Sequence, residues 1–241
     1  MSFRSLRATL VICSALVAMS VAPPLMGTSS LSATATARGL DSPTCFGREA
    51  TIVGTTGDDV VDGTEASDVI HALAGNDSVY ALGLGTPPDL ELGNDYICAG
   101  PGDDDPVEGG GGNDHIAGGR GSDSLFGLDG NDTILGGGGI DEIESHAGGD
   151  VVSGGPKLDE LCASAGRDEI RGGHGPDLIG GCGGISTGTD LYFGGPGDDR
   201  ISSVDTPQQA SADVVKGGPG TDTCTIDPED TASSCETVEI A

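Results

Sequence analysis

An aspartate that returns every nine residues, inside a nonamer rich in glycine, constrains this chain more than any other feature. From Gly109 to Gly180 the nonamer runs through eight uninterrupted copies, among them GGRGSDSLF (118 to 126) and GLDGNDTIL (127 to 135). The sixth residue is always aspartate: Asp114, Asp123, Asp132, Asp141, Asp150, Asp159, Asp168 and Asp177. The eighth is always aliphatic. A fixed short period marks a solenoid, in which one small unit stacks on its neighbours and cannot bury its apolar side alone. Acidic side chains set among glycines at that period describe a stack of cation-binding turns.

The frame continues on both sides of the perfect run. Asp59, Asp68, Asp77, Asp95 and Asp104 carry it upstream, and Asp190, Asp199, Asp213 and Asp222 downstream, making seventeen copies. The stretch Ala81 to Asp89 has lost the motif but keeps the phase, and reads as a degenerate turn. One residue is added around Asp105 to Glu108, four at Gly181 to Gly184 and five at Ser203 to Pro207. These additions are expected to bulge as loops from the solenoid.

Glycine at the first, second and fourth positions admits positive φ, which tight turns require. Six residues then form a turn, and the last three, such as Thr133-Ile134-Leu135, form a short strand with its middle side chain inward. The predicted inward set includes Ile116, Leu125, Ile134, Ile143, Val152, Leu161, Ile170 and Ile179. Two turns and two strands complete a coil of eighteen residues. Asp114, Asp132, Asp150 and Asp168 therefore fall in one column, and Asp123, Asp141, Asp159 and Asp177 in the other.

Carboxylates stacked about 5 Å apart repel by roughly 3 kcal/mol per pair at an effective dielectric of 20. A bare column should not stay stacked. Calcium between successive turns would remove the repulsion, taking carboxylate oxygens from two aspartates and completing its shell with turn carbonyls. Magnesium suits the arrangement less, because it demands a tight octahedron and dehydrates reluctantly. One aliphatic residue per nonamer is a small hydrophobic return for ordering a glycine-rich backbone. Folding and calcium binding are accordingly expected to be one event, with the metal-free chain disordered.

Composition agrees. The chain has 241 residues, 44 glycines and no tryptophan, with 10 basic against 39 acidic residues and a net charge of −29. Such a polyanion excludes nucleic acid as a partner and disfavours anionic membrane surfaces. Arg4 and Arg7, the apolar run Ala8 to Ala22 and the Ala35-Thr36-Ala37 site read as a signal peptide over residues 1–37, cleaved after Ala37. Its removal leaves 8 basic against 39 acidic residues, a net charge of −31. No membrane insertion is expected after cleavage, and the mature chain is expected outside the cell. The expected order is a cap over 38–53, the repeats over 54–225 and a second cap over 226–241.

Six cysteines remain after cleavage: Cys45, Cys98, Cys162, Cys182, Cys224 and Cys235. An even number in an exported chain points to disulfides, with fifteen possible connectivities. Cys182 lies one coil plus two residues beyond Cys162, which favours that pair, and Cys224 with Cys235 would close the C-terminal end. Elimination leaves Cys45 with Cys98, which an in-register stack allows only if the N-terminal arm folds down onto it.

GGRGSDSLF and GLDGNDTIL resemble the RTX nonapeptide, G-G-x-G-x-D-x-U-x. The resemblance covers about residues 54 to 225 and implies an all-β fold, a right-handed parallel β-roll with short end caps. It implies that every repeat aspartate, from Asp59 to Asp222, is a ligand of one of several calcium ions, assisted by turn carbonyls. Pro43 to Gly47, Gly217 to Cys224 and Cys235-Glu236 resemble the ends of secreted bacterial calcium-binding proteins built of little else. RTX toxins, proteases and lipases carry a catalytic or pore-forming region and an uncleaved C-terminal export signal, and this sequence departs from both patterns. Pro106 is expected at an inward position, which argues against a working turn at Asp104. Ala66, Ser211 and Glu229 depart from the motif and weaken the turns at Asp68 and Asp213.

A competing enzymatic reading rests on Gly184-Ile185-Ser186-Thr187-Gly188, which fits G-x-S-x-G. A nucleophile elbow needs a strand before it and a helix after it, and this segment sits in a glycine-rich insertion. His71, His115, His146 and His174 fall at different repeat positions and form no zinc motif. The favoured reading is a secreted, non-enzymatic calcium-binding module, and the alternative is a hydrolase or sugar-modifying enzyme built on the roll.

Overall fold

Eighteen-residue registers organise the central coils. The computed structural model describes residues 43–64, 66–81, 93–180, 188–205 and 211–241. In it Leu125 pairs with Ile143, and Ile134 pairs with Ile116 on one side and Val152 on the other. All these pairings are parallel. Two ten-stranded sheets result, one running from Ile52–Val53 to Thr231–Ser233 and the other from Val60–Asp62 to Thr237–Ile240. Strands consecutive in the chain alternate between the sheets, so each coil adds one rung to both. The protein is an all-β parallel solenoid, with no helix among the described residues.

The core is a stack of mostly aliphatic side chains contributed by both sheets and buried between them. The eight predicted inward residues from Ile116 to Ile179 are all fully buried. Strands in the central coils are longer than three residues: His115–Arg120, Ser124–Asp129 and Thr133–Gly138 each run six. They continue through the first glycines of the next nonamer because those glycines also pair between coils, as Gly137 does with Gly119. Within each such strand the eighth and first nonamer positions are the buried ones. The first position is therefore a second inward position, and it faces the turn.

The registers carry the insertion sizes expected, with two refinements, while residues 181–184, 206 and 207 themselves lie outside the described residues. Glu169 pairs with Leu191 and Leu178 with Arg200, 22 residues on, while Leu191 pairs with Val214, 23 residues on. The stretch read as a degenerate turn lies, apart from Ala81, largely outside the described residues. Val69 pairs with Tyr96, 27 residues on, so among the described residues the sheet passes directly from Val69–His71 to Tyr96–Pro101. Near Asp104 the single added residue shifts the frame. Val107, fully buried and paired with Val79 and Leu125, takes the inward position, and Pro106 stays half-buried outside it.

The N-terminal arm does fold down. Thr44–Cys45 and Arg48–Glu49 form a small antiparallel hairpin. Its Cys45 is bonded to Cys98, with Cα atoms 5.7 Å apart. Arg48 lies 3.9 Å over the Tyr96 ring and donates to its hydroxyl, and His115 stacks on Tyr96 with ring centroids 4.7 Å apart. Cys224 is bonded to Cys235. Cys162 is disulfide-bonded, and Cys182, the partner expected for it, lies outside the described residues. The proposed signal peptide and the segment from Gly184 to Thr187 also lie outside them.

Candidate metal centre

Each coil turns twice, and at each turn the aspartate side chain points inward rather than to solvent. All the repeat aspartates from Asp68 to Asp222 are buried, and Asp59 is half-buried. Two columns form, as the eighteen-residue period requires. The link within them is direct: the amide of Asp114 donates to Oδ1 of Asp132, that of Asp132 to Asp150, and that of Asp150 to Asp168, each at 2.8 Å. The other column repeats this from Asp123 to Asp141, Asp159 and Asp177, each at 3.0 Å. Asp104 keeps its place, accepting from Asp77 and donating to Asp123 despite the displaced proline. The stacked carboxylates are thus held by charge-assisted bonds to backbone, which offset part of their mutual repulsion.

Along most of the columns one oxygen of the carboxylate is engaged in this way, and the second is not. Oδ2 of Asp114, Asp123, Asp132, Asp141, Asp159, Asp168 and Asp177 is buried with no hydrogen-bond partner. A buried acceptor without a donor is costly, so a row of them at one geometric position marks a missing cation rather than a local defect. Burial is also the largest cause that pushes the Asp123, Asp132, Asp168 and Asp177 carboxyls up to about 7. The backbone hydrogen bonds pull the other way, and neighbouring carboxylates, such as Asp114 and Asp150 beside Asp132, add to the rise.

The first-position glycine explains why space is left there. A Cβ added at Gly109 would lie 2.8 Å from Oδ2 of Asp114 and 2.9 Å from the carbonyl oxygen of Gly127 in the next coil. Gly136 repeats the arrangement, at 2.6 Å from Asp141 Oδ2 and 2.7 Å from the Gly154 oxygen. An aspartate oxygen and a carbonyl oxygen of the next coil therefore converge on one small space. Positive φ is not the reason for this glycine, contrary to the sequence reading; the left-handed residues are the second and the fourth, as at Gly119 with φ 121° and Gly121 with φ 130°. Among the described residues no three His, Cys, Asp or Glu side chains converge on one point. A cation here would draw most of its ligands from backbone carbonyls, which suits calcium's taste for many oxygens.

Three features of the columns escaped the sequence reading. Asp230 and Glu236 close them, accepting from the amides of Asp213 at 2.9 Å and Asp222 at 2.7 Å. The signal was present in Asp230-Thr231-Ala232 and Glu236-Thr237-Val238, which keep the acid and an apolar residue two positions on without the glycines. The fifth nonamer position forms a parallel outer ladder, in which Asn113 donates from its amide to Asn94 Oδ1 and Asn131 to Asn113 Oδ1. Ser145, at a first position beside Asp150, is fully buried where most copies in the run have glycine.

Comparison with known proteins agrees with this geometry. No curated protein matches the chain. The model of the RTX calcium-binding nonapeptide repeat matches residues 51–83, 91–106, 108–143, 144–179 and 186–203, which together exceed half of the chain. Its period, its solenoid and its paired aspartate columns are those of a calcium-binding repeat protein, and the chain belongs to the RTX calcium-binding nonapeptide repeat family.

Proposed function

We propose that the protein is a secreted, non-enzymatic module whose roll folds as calcium fills the two columns, and that the folded roll is itself the product, a structural or interaction element outside the cell. The observation that carries this reading is the row of buried Oδ2 atoms without donors, most of them beside a carbonyl oxygen of the next coil. Asp114, Asp123, Asp132, Asp141, Asp159, Asp168 and Asp177 would each offer that oxygen, with first-position carbonyls such as those of Gly127, Gly136 and Gly154 beside them. Calcium supplies the positive charge that lets these carboxylates stay ionised in a buried stack. The Cys45–Cys98 and Cys224–Cys235 bonds support an oxidising, extracellular setting.

Far-ultraviolet circular dichroism with and without calcium tests the coupling. The chain is expected to be largely disordered in chelator and to acquire β structure cooperatively, at calcium concentrations of about 10⁻⁴ to 10⁻³ M, as in extracellular sites. Identical folded spectra in both conditions would sink the proposal.

A further inference from the structure

The geometry points to three turns, at Asp59, Asp68 and Asp190, that the chain closes with its own donors and that take no calcium; this rests on the calcium reading of the other turns. Oδ2, the oxygen left without a donor along most of the columns, is occupied at these three. At Asp190 the donor is the hydroxyl of Tyr192, 3.2 Å away. Tyr192 sits at the inward eighth position, between Ile170 and Val215 in register, and is buried among aliphatic residues. A phenol placed in an apolar file needs a partner for its hydroxyl, and Asp190 supplies it two residues away. The backbone around it is undisturbed, since Asp168 donates to Asp190 Oδ1 and Asp190 to Asp213 Oδ1, each at 2.8 Å. The column therefore continues through Asp190 mechanically while the oxygen a cation would use is taken.

The first turn of each column is closed by threonine. The Thr64 amide and its Oγ1 both donate to Asp68 Oδ2 at 2.8 Å, and the Thr55 amide donates to Asp59 Oδ2 at 2.5 Å. Both threonines hold the second nonamer position, where Gly119 and Gly137 are left-handed and neither threonine is. A β-branched residue resists positive φ, and with the chain in its ordinary conformation the amide meets the carboxylate instead of leaving it open. The calcium columns thus begin at the second coil. The first coil, braced by the Cys45–Cys98 bond, is a metal-independent start for the stack.

Calcium bound per chain, measured by equilibrium dialysis on the disulfide-bonded protein and on single variants, tests this assignment, with circular dichroism at saturating calcium reporting folding. Asp68→Asn and Asp190→Asn are expected to bind as many ions as the unaltered chain, whereas Asp132→Asn binds fewer. Tyr192→Phe is expected to bind one ion more, because it removes the hydroxyl that donates to Oδ2 of Asp190. A loss of ions in Asp190→Asn or Asp68→Asn equal to that in Asp132→Asn overturns the assignment, and so does an unchanged count in Tyr192→Phe. If Asp190→Asn fails to reach the unaltered spectrum, Asp68→Asn and Tyr192→Phe decide. An unaltered chain that binds no calcium would instead overturn the calcium reading itself.

Discussion

The amide of Asp114 donates to Oδ1 of Asp132 at 2.8 Å, although eighteen residues separate them, while Oδ2 of the same carboxylate has no donor. The two oxygens of one side chain thus have separate tasks, one toward the backbone and one toward a cation. Asparagine can keep the first and loses the charge that serves the second. Asp132→Asn is therefore expected to raise the calcium midpoint several-fold with little effect in chelator. Asp132→Ala should also strand the Asp114 amide, costing a further 1–3 kcal/mol or so in the calcium-bound state. Calcium titration followed by denaturant unfolding separates the two, and equal effects would contradict the division.

Glycine at the first position is a matter of space. Gly127→Ala would place a Cβ 2.5 Å from Asp132 Oδ2 and 2.8 Å from the Ser145 carbonyl oxygen, and is expected to destabilise the calcium-bound roll by about 1–3 kcal/mol. Gly138, at a third position, has only the Gly119 oxygen within reach, at 3.9 Å, and no positive φ. Gly138→Ala should be neutral or stabilise by about 0.5 kcal/mol, by narrowing the unfolded ensemble. Thermal unfolding of both variants in calcium checks the contrast.

The metal-free roll should respond to acid in the opposite sense from most proteins. Burial raises Asp132 and Asp168 to about 7 and Asp114 and Asp159 to about 6, from an ordinary 3.8. A carboxyl whose folded value is raised binds protons preferentially in the folded state. Its favourable contribution is present below the unfolded value and is lost as pH rises through the folded one. In chelator, β structure should therefore increase as pH falls from about 7.5 toward about 4. Protons and calcium compete for the same carboxylates, so the calcium midpoint should move to higher concentration over the upper part of that range. A midpoint independent of pH would contradict the prediction.

The hairpin is held by a bond that closes a long loop. Cys45 and Cys98 are 53 residues apart, for which the chain-entropy estimate is about 4 kcal/mol, lessened by structure persisting in the unfolded chain. Cys45→Ser with Cys98→Ser should lower stability by up to that amount and free Arg48 from the Tyr96 ring. Guanidinium unfolding in calcium, with tyrosine emission as a local probe, measures both.

Much of this molecule is legible from one dimension because its period is local. Nine residues separate successive aspartates, the eighth residue is aliphatic in copy after copy, and an eighteen-residue coil follows from two turns. The columns, the inward file and the sizes of the later insertions could be derived from Asp114, Ile116 and their repeats alone. Where the period slips, the reading slips with it. Val107 rather than Pro106 lies inside, because one added residue changes which side chain faces the core and only pairing with Val79 and Leu125 fixes the choice.

The sequence by itself determined the repeat, the acidic columns and the demand for a cation, since these depend on residue type at fixed spacing. Only the tertiary structure decided which oxygen of each carboxylate is used by the backbone, why the first glycine must be small, and that Tyr192, Thr55 and Thr64 occupy the position open elsewhere. Asp230 and Glu236 likewise join the columns only through contacts with Asp213 and Asp222. The physical reason is the same in each case: a hydrogen bond between neighbouring coils is set by the distance and direction of atoms far apart in the chain, and spacing along the chain does not encode them.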